Sequence, residues 1–504
     1  MKLNYKRTIL VGFAFFLISA FWQAYDAIVP LALTNHYGLP QTISGVVMSV
    51  DNILAVFMLP IFGAISDKIM TKFGKRTPFI VIGTVAAVLS FVLLFVINGV
   101  QLNTLEKEGI VDSYDMYQTV YNESKEDVEE AFENGLISQE ERDETVKLLT
   151  EEFDEVKEKL RDRALEITLD NIWPLVGFIG VLLIVLIAMA TFRSPAVALM
   201  PDVTVKPLRS KGNAIINLMG TAGGIIVLLF SSIFSISKNL YMSYLGYVIA
   251  TCIVMLVGLV IFIFTVKETS WAEEMEADTV RLGLEESVDN NGEAGAVSHS
   301  LGKAEMRSLL LILASVALWY IGYNSITSKY SVYSTNVLGV DYGLTLIVAQ
   351  AAAIVSYIPV GIIASKFGRR KTILAGITML TTAFFIGNFI SAGMNGLVMY
   401  PIFALAGIGW ATINVNSFPM VVELAKGGEV GKYTGYYYTA SMAAQIVAPI
   451  FSGVLYDLFG MRIMFFLFGT VFVAGSFATM FFVKHGDSKP EAQGALESLA
   501  GADD

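Results

Sequence analysis

The sequence has little of what enzymes and metalloproteins use for chemistry. It contains one cysteine, Cys252, and three scattered histidines, His36, His299 and His485. A single cysteine excludes an intrachain disulfide, and the histidines lack the spacing of metal ligands. The sequence also contains no HExxH, GxSxG or P-loop motif. We therefore expect no enzyme activity, no metal or other cofactor, and no nucleic-acid partner.

Charge is scarce as well, at 16% of residues, whereas hydrophobic residues make up 55% and the mean hydropathy is +0.62. Apolar stretches of about 20 residues recur, the length that a helix needs to cross a bilayer core of about 30 Å. Backbone polar groups in that core must bond within their own segment, which forces a helix. We predict an all-α membrane protein with twelve transmembrane helices. The spans are expected near residues 8–35, 42–66, 77–99, 173–192, 213–235, 242–265, 307–334, 342–365, 372–393, 396–422, 432–455 and 462–483.

The acidity of the chain is confined to one segment between spans 3 and 4. Residues 101–170 hold 22 acidic and 8 basic residues, whereas the whole chain has a net charge of −11. The pattern predicts a helical hairpin that turns at Asn134-Gly135, with a capping box between Ser138 and Glu141. It is either a solvated hairpin with an apolar packing stripe or a partner or regulatory domain.

Lysine and arginine cluster in the loops after spans 2, 4 and 8. This bias places both termini in the cytoplasm and the acidic hairpin outside, in a multi-pass protein of the cell membrane. The predicted parts are a first six-helix half (1–100 and 171–266), the insertion (101–170), a cytoplasmic linker (267–306), a second six-helix half (307–485) and a disordered tail (486–504). We expect a monomer.

An internal repeat supports this division. At an offset of 298 residues, Trp22, Tyr25, Asp26, Asn52 and Gly63 correspond to Tyr320, Tyr323, Asn324, Gln350 and Gly361. The loop after span 2 reads Phe-Gly-Lys-Arg and the loop after span 8 reads Phe-Gly-Arg-Arg. Duplicated halves around a site at the membrane midplane are typical of alternating-access transporters.

Two carboxylates lie inside predicted spans, where a charge is costly and indicates function. Asp26 and Asp51 are each about 14 Å from the outer ends of their spans at 1.5 Å per residue. Equal depth lets them face one cavity. With Asn52 they are the predicted cation-coupling residues. The alternative is that each aspartate caps a kink or makes a static hydrogen bond between helices.

Aromatic and amide side chains recur at helical spacing around these carboxylates. Aromatic rings stack on the apolar face of a sugar, and amides bind its hydroxyls. The alternative is that amides hold the helices together. Arg193 either extends toward the inner membrane interface or reaches into the cavity. The predicted substrate-binding residues are Trp22, Gln23, Tyr25, Arg193, Asn324, Gln350, Trp410, Asn414 and Gln445; Lys329 is a further candidate on span 7.

Two stretches resemble a known family. Gly63-Ala-Ile-Ser66-Asp67-Lys68, followed by Phe73-Gly74-Lys75-Arg76-Thr-Pro78-Phe79-Ile80, resembles the loop after span 2 in major facilitator transporters. Arg193-Ser-Pro195-Ala-Val-Ala-Leu-Met-Pro201-Asp202 is similar to the connection between spans 4 and 5 in sucrose-transporter-like proteins and in glycoside–pentoside–hexuronide:cation symporters.

The resemblance implies the major facilitator fold and cation-driven uptake of a glycoside or oligosaccharide. It also implies a cytoplasmic gate formed by Asp67, Arg76, Asp202, Arg209, Arg369, Arg370 and Glu423. The run Val56-Phe57-Met58-Leu59-Pro60 lacks the acidic pair of the melibiose-permease-like symporters, which favours a proton over sodium. Arg193 replaces a sugar-binding aspartate of that group and suits an anionic sugar; Val197 replaces an arginine of the sucrose transporters.

We therefore predict a secondary transporter, a proton-coupled symporter of a sugar or glycoside, with the substrate, the proton and the lipid bilayer as its partners. One alternative is an exporter of drugs or metabolites on the same fold. Another is a transporter-like sensor that binds a ligand without moving it.

Overall fold

The computed structural model describes residues 3–281, 302–390, 396–424 and 430–485. Over these residues the chain is helical and forms no sheet. The first eight helices are α1 (Tyr5–Leu31), α2 (Gln41–Lys68), α3 (Thr77–Lys107), α4 (Ile110–Glu133), α5 (Gln139–Asp170), α6 (Trp173–Asp202), α7 (Arg209–Ile233) and α8 (Leu245–Thr265). The others are α9 (Glu268–Arg281), α10 (Lys303–Thr327), α11 (Tyr330–Val332), α12 (Tyr342–Phe367), α13 (Arg369–Gly387), α14 (Met399–Val422), α15 (Val430–Phe459) and α16 (Met461–Phe481).

Eleven helices in the described ranges are long and apolar enough to cross a membrane, and they correspond to eleven of the twelve predicted spans. The remaining predicted span, 372–393, corresponds to α13, which has 19 residues and packs against α14 and α16. This helix begins with Arg369, Arg370 and Lys371. Because α13 is short and begins with three cations, it is not among the eleven long apolar helices.

The spans pack as two sets. In the first set α1 contacts α6, α7 and α8, and α3 contacts α6 and α8. In the second set α10 contacts α15 and α16, and α14 contacts α12 and α13. The two sets meet where α2 packs on α15 and α7 packs on α12. The predicted residue boundaries of the two halves remain a prediction.

The two faces of the molecule differ. We call the face that carries α4 and α5 the hairpin face. The opposite face, where α2 and α12 end, carries Lys68, Lys75, Arg76, Arg369 and Arg370 and is called the basic face. Helices α1 and α10 are both irregular near the hairpin face, where π-helical stretches follow at Ala32–His36 and Tyr333–Leu338.

The predicted hairpin is confirmed, with a later start. Helix α3 continues to Lys107, and only then does α4 begin, after a left-handed Gly109. The turn lies at the predicted place, because Gly135 has a φ of 70° that a residue with a side chain rarely adopts. Ser138 caps α5 by accepting a hydrogen bond from the backbone N–H of Glu141, whose carboxylate accepts from Ser138 N in return. The capping box is therefore confirmed.

The predicted linker 267–306 begins with a helix. Helix α9 starts at Glu268, and both Glu268 and Trp271 are buried against the first set. Residues 282–301 and the predicted tail 486–504 lie outside the described residues.

Candidate transport pathway

Asp26 is exposed in the middle of a span whose next thirteen residues, 27–39, are buried. It lies ten residues before His36, the end of the first span, as Asp51 lies ten residues after Gln41, the start of α2. The two aspartates are therefore equally far from the ends of their helices at the hairpin face. The carboxylates of Asp26 and Asp51 are near enough to repel each other electrostatically.

Arg193 completes a charged cluster with these two carboxylates. Helix α6 runs nine residues beyond Arg193 to Asp202, about 13 Å at 1.5 Å per residue. The guanidinium lies 5.6 Å from the ring centroid of Trp22 and attracts Asp51. Of the two alternatives for Arg193, extension to the membrane interface is therefore wrong, and it reaches into the protein. Asn52, also predicted for coupling, donates to Asp51 Oδ1 at 2.8 Å.

Two buried polar atoms beside this cluster are unsatisfied. Trp22 Nε1 and the Tyr25 hydroxyl have no hydrogen-bond partner among the described residues. Tyr25 is fully buried, and its ring lies edge-on to Trp22 at 5.4 Å. A buried polar group without a partner costs free energy unless a ligand or water satisfies it. Both groups are thus suited to bind a hydroxylated solute.

The second set provides an aromatic platform. Tyr323 of α10 stacks on Trp410 of α14 with ring centroids 3.6 Å apart and planes within 6°. Asn414 lies one turn after Trp410 and is buried. Asn324 donates to the backbone oxygen of Tyr320 at 2.8 Å, so part of its capacity is used within its own helix. Gln445 of α15 is half-buried.

Hydrogen bonds join the two sets at the level of the candidate site, among them one from Ser331 Oγ to the backbone oxygen of Asp26 at 3.3 Å. Gln350 of α12 donates from Nε2 to Oε1 of Gln23 on α1 at 3.0 Å. Gly224 of α7 lies against the pair: a Cβ there would be 3.6 Å from Gln23 Oε1 and 3.8 Å from Gln350 Oε1. Both predicted residues therefore lie where the sets meet, and Gln350 Oε1 has no partner in the described part of the chain.

The hairpin face is closed by polar contacts between the sets. Asp457 at the end of α15 accepts hydrogen bonds from the backbone N–H groups of Gln41 and Thr42, both at 2.7 Å, and so caps α2. Lys329 is fully buried and donates to Ser44 Oγ at 2.6 Å and to Gln41 Oε1 at 3.2 Å. Lys329 therefore belongs to this seal and not to the span 7 face that was predicted to bind substrate.

Close backbone contact between α2 and α15 also closes the hairpin face. A Cβ at Gly45 would lie 2.0 Å from the backbone oxygen of Pro449, and one at Gly453 would lie 2.4 Å from that of Gln41. Helices α2 and α15 can approach this closely only because both positions lack a side chain. The hairpin side of Asp26 is therefore closed.

At the basic face, Arg76 joins two of the predicted gate acids. Its guanidinium donates to Asp202 Oδ2 at 2.7 Å, to Asp67 Oδ1 at 2.5 Å and to Ser66 Oγ at 2.5 Å. Burial acts to lower the pKa of Arg76, but the bonds and charges of Asp202 and Asp67 outweigh burial and raise it. The predicted cluster is assembled within the first set.

Glu268 holds the backbone beside Arg76, and sequence reasoning did not assign it a role. Its carboxylate accepts from the backbone N–H groups of Lys75 at 2.6 Å, Arg76 at 2.8 Å and Thr77 at 2.7 Å, and from the Thr77 hydroxyl at 2.7 Å. Glu268 is 4% exposed. It therefore caps the start of α3 from 191 residues away in sequence. Among the many acids of the linker, local pattern gave no signal for it.

The second set repeats the arrangement with a shift of one residue. Gly74 and Gly368 both have positive φ, 109° and 91°. Arg369, directly after Gly368, donates to Glu423 Oε1 at 2.7 Å. The loop alignment pairs Arg76 with Arg370, but Arg370 instead donates to the backbone oxygens of Met480 and Phe481 at the end of α16. The shift arises because α13 begins at Arg369, whereas α3 begins only at Thr77.

Arg209, the remaining predicted gate residue, caps a helix end. It donates to the backbone oxygens of Pro201 at 3.0 Å and Thr204 at 3.1 Å, the last turn of α6 and the segment after it. Cations at a helix C-terminus satisfy its free carbonyls and its dipole. These bonds give Arg209 a structural contact with the end of α6, whereas Asp202 pairs with Arg76.

Charged groups inside apolar helices, closed off from the hairpin face, are typical of a membrane transport protein. A sequence profile described as Major Facilitator Superfamily matches residues 165–416 and 340–500. A second, described as MFS/sugar transport protein, matches residues 10–104. The chain belongs to the major facilitator superfamily, and the predicted resemblance is confirmed. It is a secondary transporter.

Among proteins of known sequence, an uncharacterized MFS-type transporter of Methanocaldococcus jannaschii is 23% identical over 171 residues. The match covers 34% of this chain and 43% of that relative.

Solved structures share the fold at low identity. The inward open conformation of the xylose transporter XylE from E. coli has a TM-score of 0.57 at 13% identity and covers 98% of this chain and 99% of that one. A bacterial homologue of the iron transporter ferroportin, in an inward-facing state, has a TM-score of 0.60 at 12% identity, covering 95% and 99%. A POT family transporter in complex with 5-aminolevulinic acid has a TM-score of 0.58 at 11% identity, covering 94% and 95%. These likenesses show the fold alone.

Proposed function

We propose that the chain is a proton-coupled symporter of a sugar or glycoside that works by alternating access. The observation that carries the proposal is the cluster of Asp26, Asp51 and Arg193 beside the unsatisfied Trp22 Nε1 and Tyr25 hydroxyl. Polar groups of this kind in the middle of a membrane domain are costly unless they have a function.

The charges of the cluster suit a proton as the coupling ion. Arg193 offsets one of the two carboxylates, which leaves a net charge of −1. One proton on Asp26 relieves its repulsion with Asp51 and makes the cluster neutral. A neutral cluster is less costly to enclose when the cavity closes around it. This balance favours a neutral sugar over the anionic sugar suggested by Arg193 alone.

The substrate class is supported by the flanking aromatic residues. Trp22 on one side and the stacked pair of Tyr323 and Trp410 on the other offer apolar rings, and Asn414 and Gln350 offer amides. The profile match of residues 10–104 to sugar transport proteins agrees with this chemistry.

The orientation follows from the lysine and arginine bias. The basic face lies in the cytoplasm with both termini, and the hairpin face lies outside the cell membrane. The closed hairpin face and the exposed Asp26 support an inward-open conformation in this orientation. The protein works as a monomer in the lipid bilayer.

Uptake in proteoliposomes tests the proposal. The purified protein is assayed with radiolabelled neutral sugars, glycosides and sugar acids, with and without an inwardly directed proton gradient. We expect gradient-driven accumulation of a neutral sugar. Asp26→Asn is expected to abolish accumulation but to keep exchange of labelled for unlabelled substrate, because exchange needs no net proton movement.

The matched control is Asp112→Asn, since Asp112 is an exposed acid on α4. Unchanged accumulation in both Asp26→Asn and Asp51→Asn would remove the coupling assignment. Absence of uptake for every carbohydrate, with uptake of another class of solute, would overturn the substrate class.

A further inference from the structure

The α4–α5 hairpin is anchored on the first set. Gly38, just after the first span, lies so close to α5 that a Cβ would be 2.4 Å from Leu165 N and 2.5 Å from the backbone oxygen of Arg161. Gln101 of α3 donates to Thr168 Oγ1 at 2.9 Å, and both residues are buried. The base of the hairpin is therefore fixed to α1 and α3.

The middle of α5 reaches across to the second set. Lys157 donates from Nζ to the backbone oxygen of Asn336 at 2.6 Å. Asp154, one turn earlier, lies 2.5 Å from Lys157 Nζ and 3.4 Å from an Arg462 guanidinium nitrogen at the start of α16. These contacts link a segment that moves with the first set to α16 and to the π-helical stretch after α11.

The bridge lies directly outside the seal of the hairpin face. Asn336, which Lys157 holds by its backbone, exchanges side-chain hydrogen bonds with Asn35 of the first set at 2.7 and 3.3 Å. A cavity of 380 Å³ separates α5 from Asp457, the residue that caps α2. Four charged residues of its lining, Asp154, Lys157, Asp457 and Arg462, make the contacts described above, and the other two, Glu158 and Arg161, lie 3.5 Å apart.

We propose that the hairpin is a strap between the two sets, with Lys157 as a positioning residue that acts through Asn336. The strap holds the hairpin face closed and has to detach each time that face opens. This proposal rests on the proposed alternating-access function. The hairpin then sets how often the substrate site opens toward the hairpin face.

A few side chains hold the strap in place, so single substitutions can test it. Lys157 is 16% exposed and Asp154 is 31% exposed, so neither is fully shielded from solvent. A hydrogen bond to a charged group, once removed, shifts an equilibrium by about tenfold. Lys159 provides the matched control. It lies on the same helix but is 78% exposed, and its ion pair with Glu155, at 3.9 Å, stays within α5.

Pulsed electron–electron double resonance, which measures the distance between two spin labels, reports the opening of the hairpin face in the purified full-length protein. Spin labels are attached at Ser243→Cys of the first set and Phe389→Cys of the second, both exposed at the hairpin face, in a Cys252→Ser background. We expect Lys157→Ala and Asp154→Ala each to raise the ratio of long to short distances about tenfold, and Lys159→Ala to leave it unchanged.

Gly45→Val supplies the positive control, because its side chain obstructs the contact with Pro449 and forces the longer distance. If Gly45→Val lengthens the distance and neither strap variant does, the strap is refuted. The readout needs no substrate. If the strap variants show long distances but the protein transports no solute, the proposed function is refuted and the strap is supported.

Discussion

Replacing Glu268 by glutamine tests whether the linker helix holds the basic-face loop in place. Glu268 is buried, and its two oxygens accept four hydrogen bonds from Lys75, Arg76 and Thr77. Glutamine is nearly the same size but keeps only one accepting oxygen. Its amide N–H₂ then faces the two donors of Thr77, which lose their partner.

The expected loss of stabilising free energy at the start of α3 follows from the number of hydrogen bonds lost. A hydrogen bond to a charged group contributes about 1.5–3 kcal/mol, so two lost bonds cost about 3 kcal/mol at the low end. A change of 3 kcal/mol corresponds to a factor of about 100 in a local opening equilibrium. The start of α3 and the loop before it should open that much more often.

Hydrogen–deuterium exchange of peptides that cover residues 70–80 measures this opening. We expect Glu268→Gln to speed exchange of the amides of Lys75, Arg76 and Thr77 by about 100-fold. Glu276→Gln on the exposed side of α9 is the control and should leave exchange unchanged. Equal exchange in the two variants would refute the reasoning that this carboxylate caps α3.

Two further predictions concern the hairpin and the seal. Bonds from the Ser138 N–H and hydroxyl lower the pKa of Glu141 below that of an ordinary glutamate, so its support of α5 is complete above the ordinary glutamate pKa and is lost as the pH falls through the lowered pKa. Protection from exchange at the start of α5, measured relative to the intrinsic rate at each pH, should therefore fall in acid. It should be low at every pH in Glu141→Gln but not in Glu140→Gln. Gly453→Ala should open the hairpin face, because its Cβ meets the backbone oxygen of Gln41, and faster labelling of Thr34→Cys by a maleimide would measure it.

The helices and their caps were predictable from local sequence. Span length and hydropathy predicted eleven confirmed spans, and the Ser138–Glu141 spacing predicted the cap of α5. The depth of Asp26 and Asp51 followed from counting residues along two helices. Each of these inferences uses periodicity within one segment, where rise per residue and hydrogen-bonding rules fix the geometry.

The gate residues show where such reasoning stops. Motif resemblance identified Arg76, Asp67 and Asp202 together, and Arg76 does contact both aspartates. Arg369 and Arg370 were both predicted for the gate, and only the structure shows that Arg369 is the one that contacts Glu423. A difference of one residue in where a helix starts turns a side chain by about 100°. Helix start points are not set by the motif but by the loop before it.

The sequence by itself determined that the chain forms apolar spans in two related sets, with an acidic helical hairpin between spans 3 and 4 and carboxylates at matched depth. Only the tertiary structure decided that Glu268 caps α3, that Lys329 seals the hairpin face, and that Lys157 bridges to the second set. The physical reason is that these bonds join residues 179 to 288 positions apart in sequence. Such pairings depend on how whole helices pack, and no local pattern records which of many similar charges will meet.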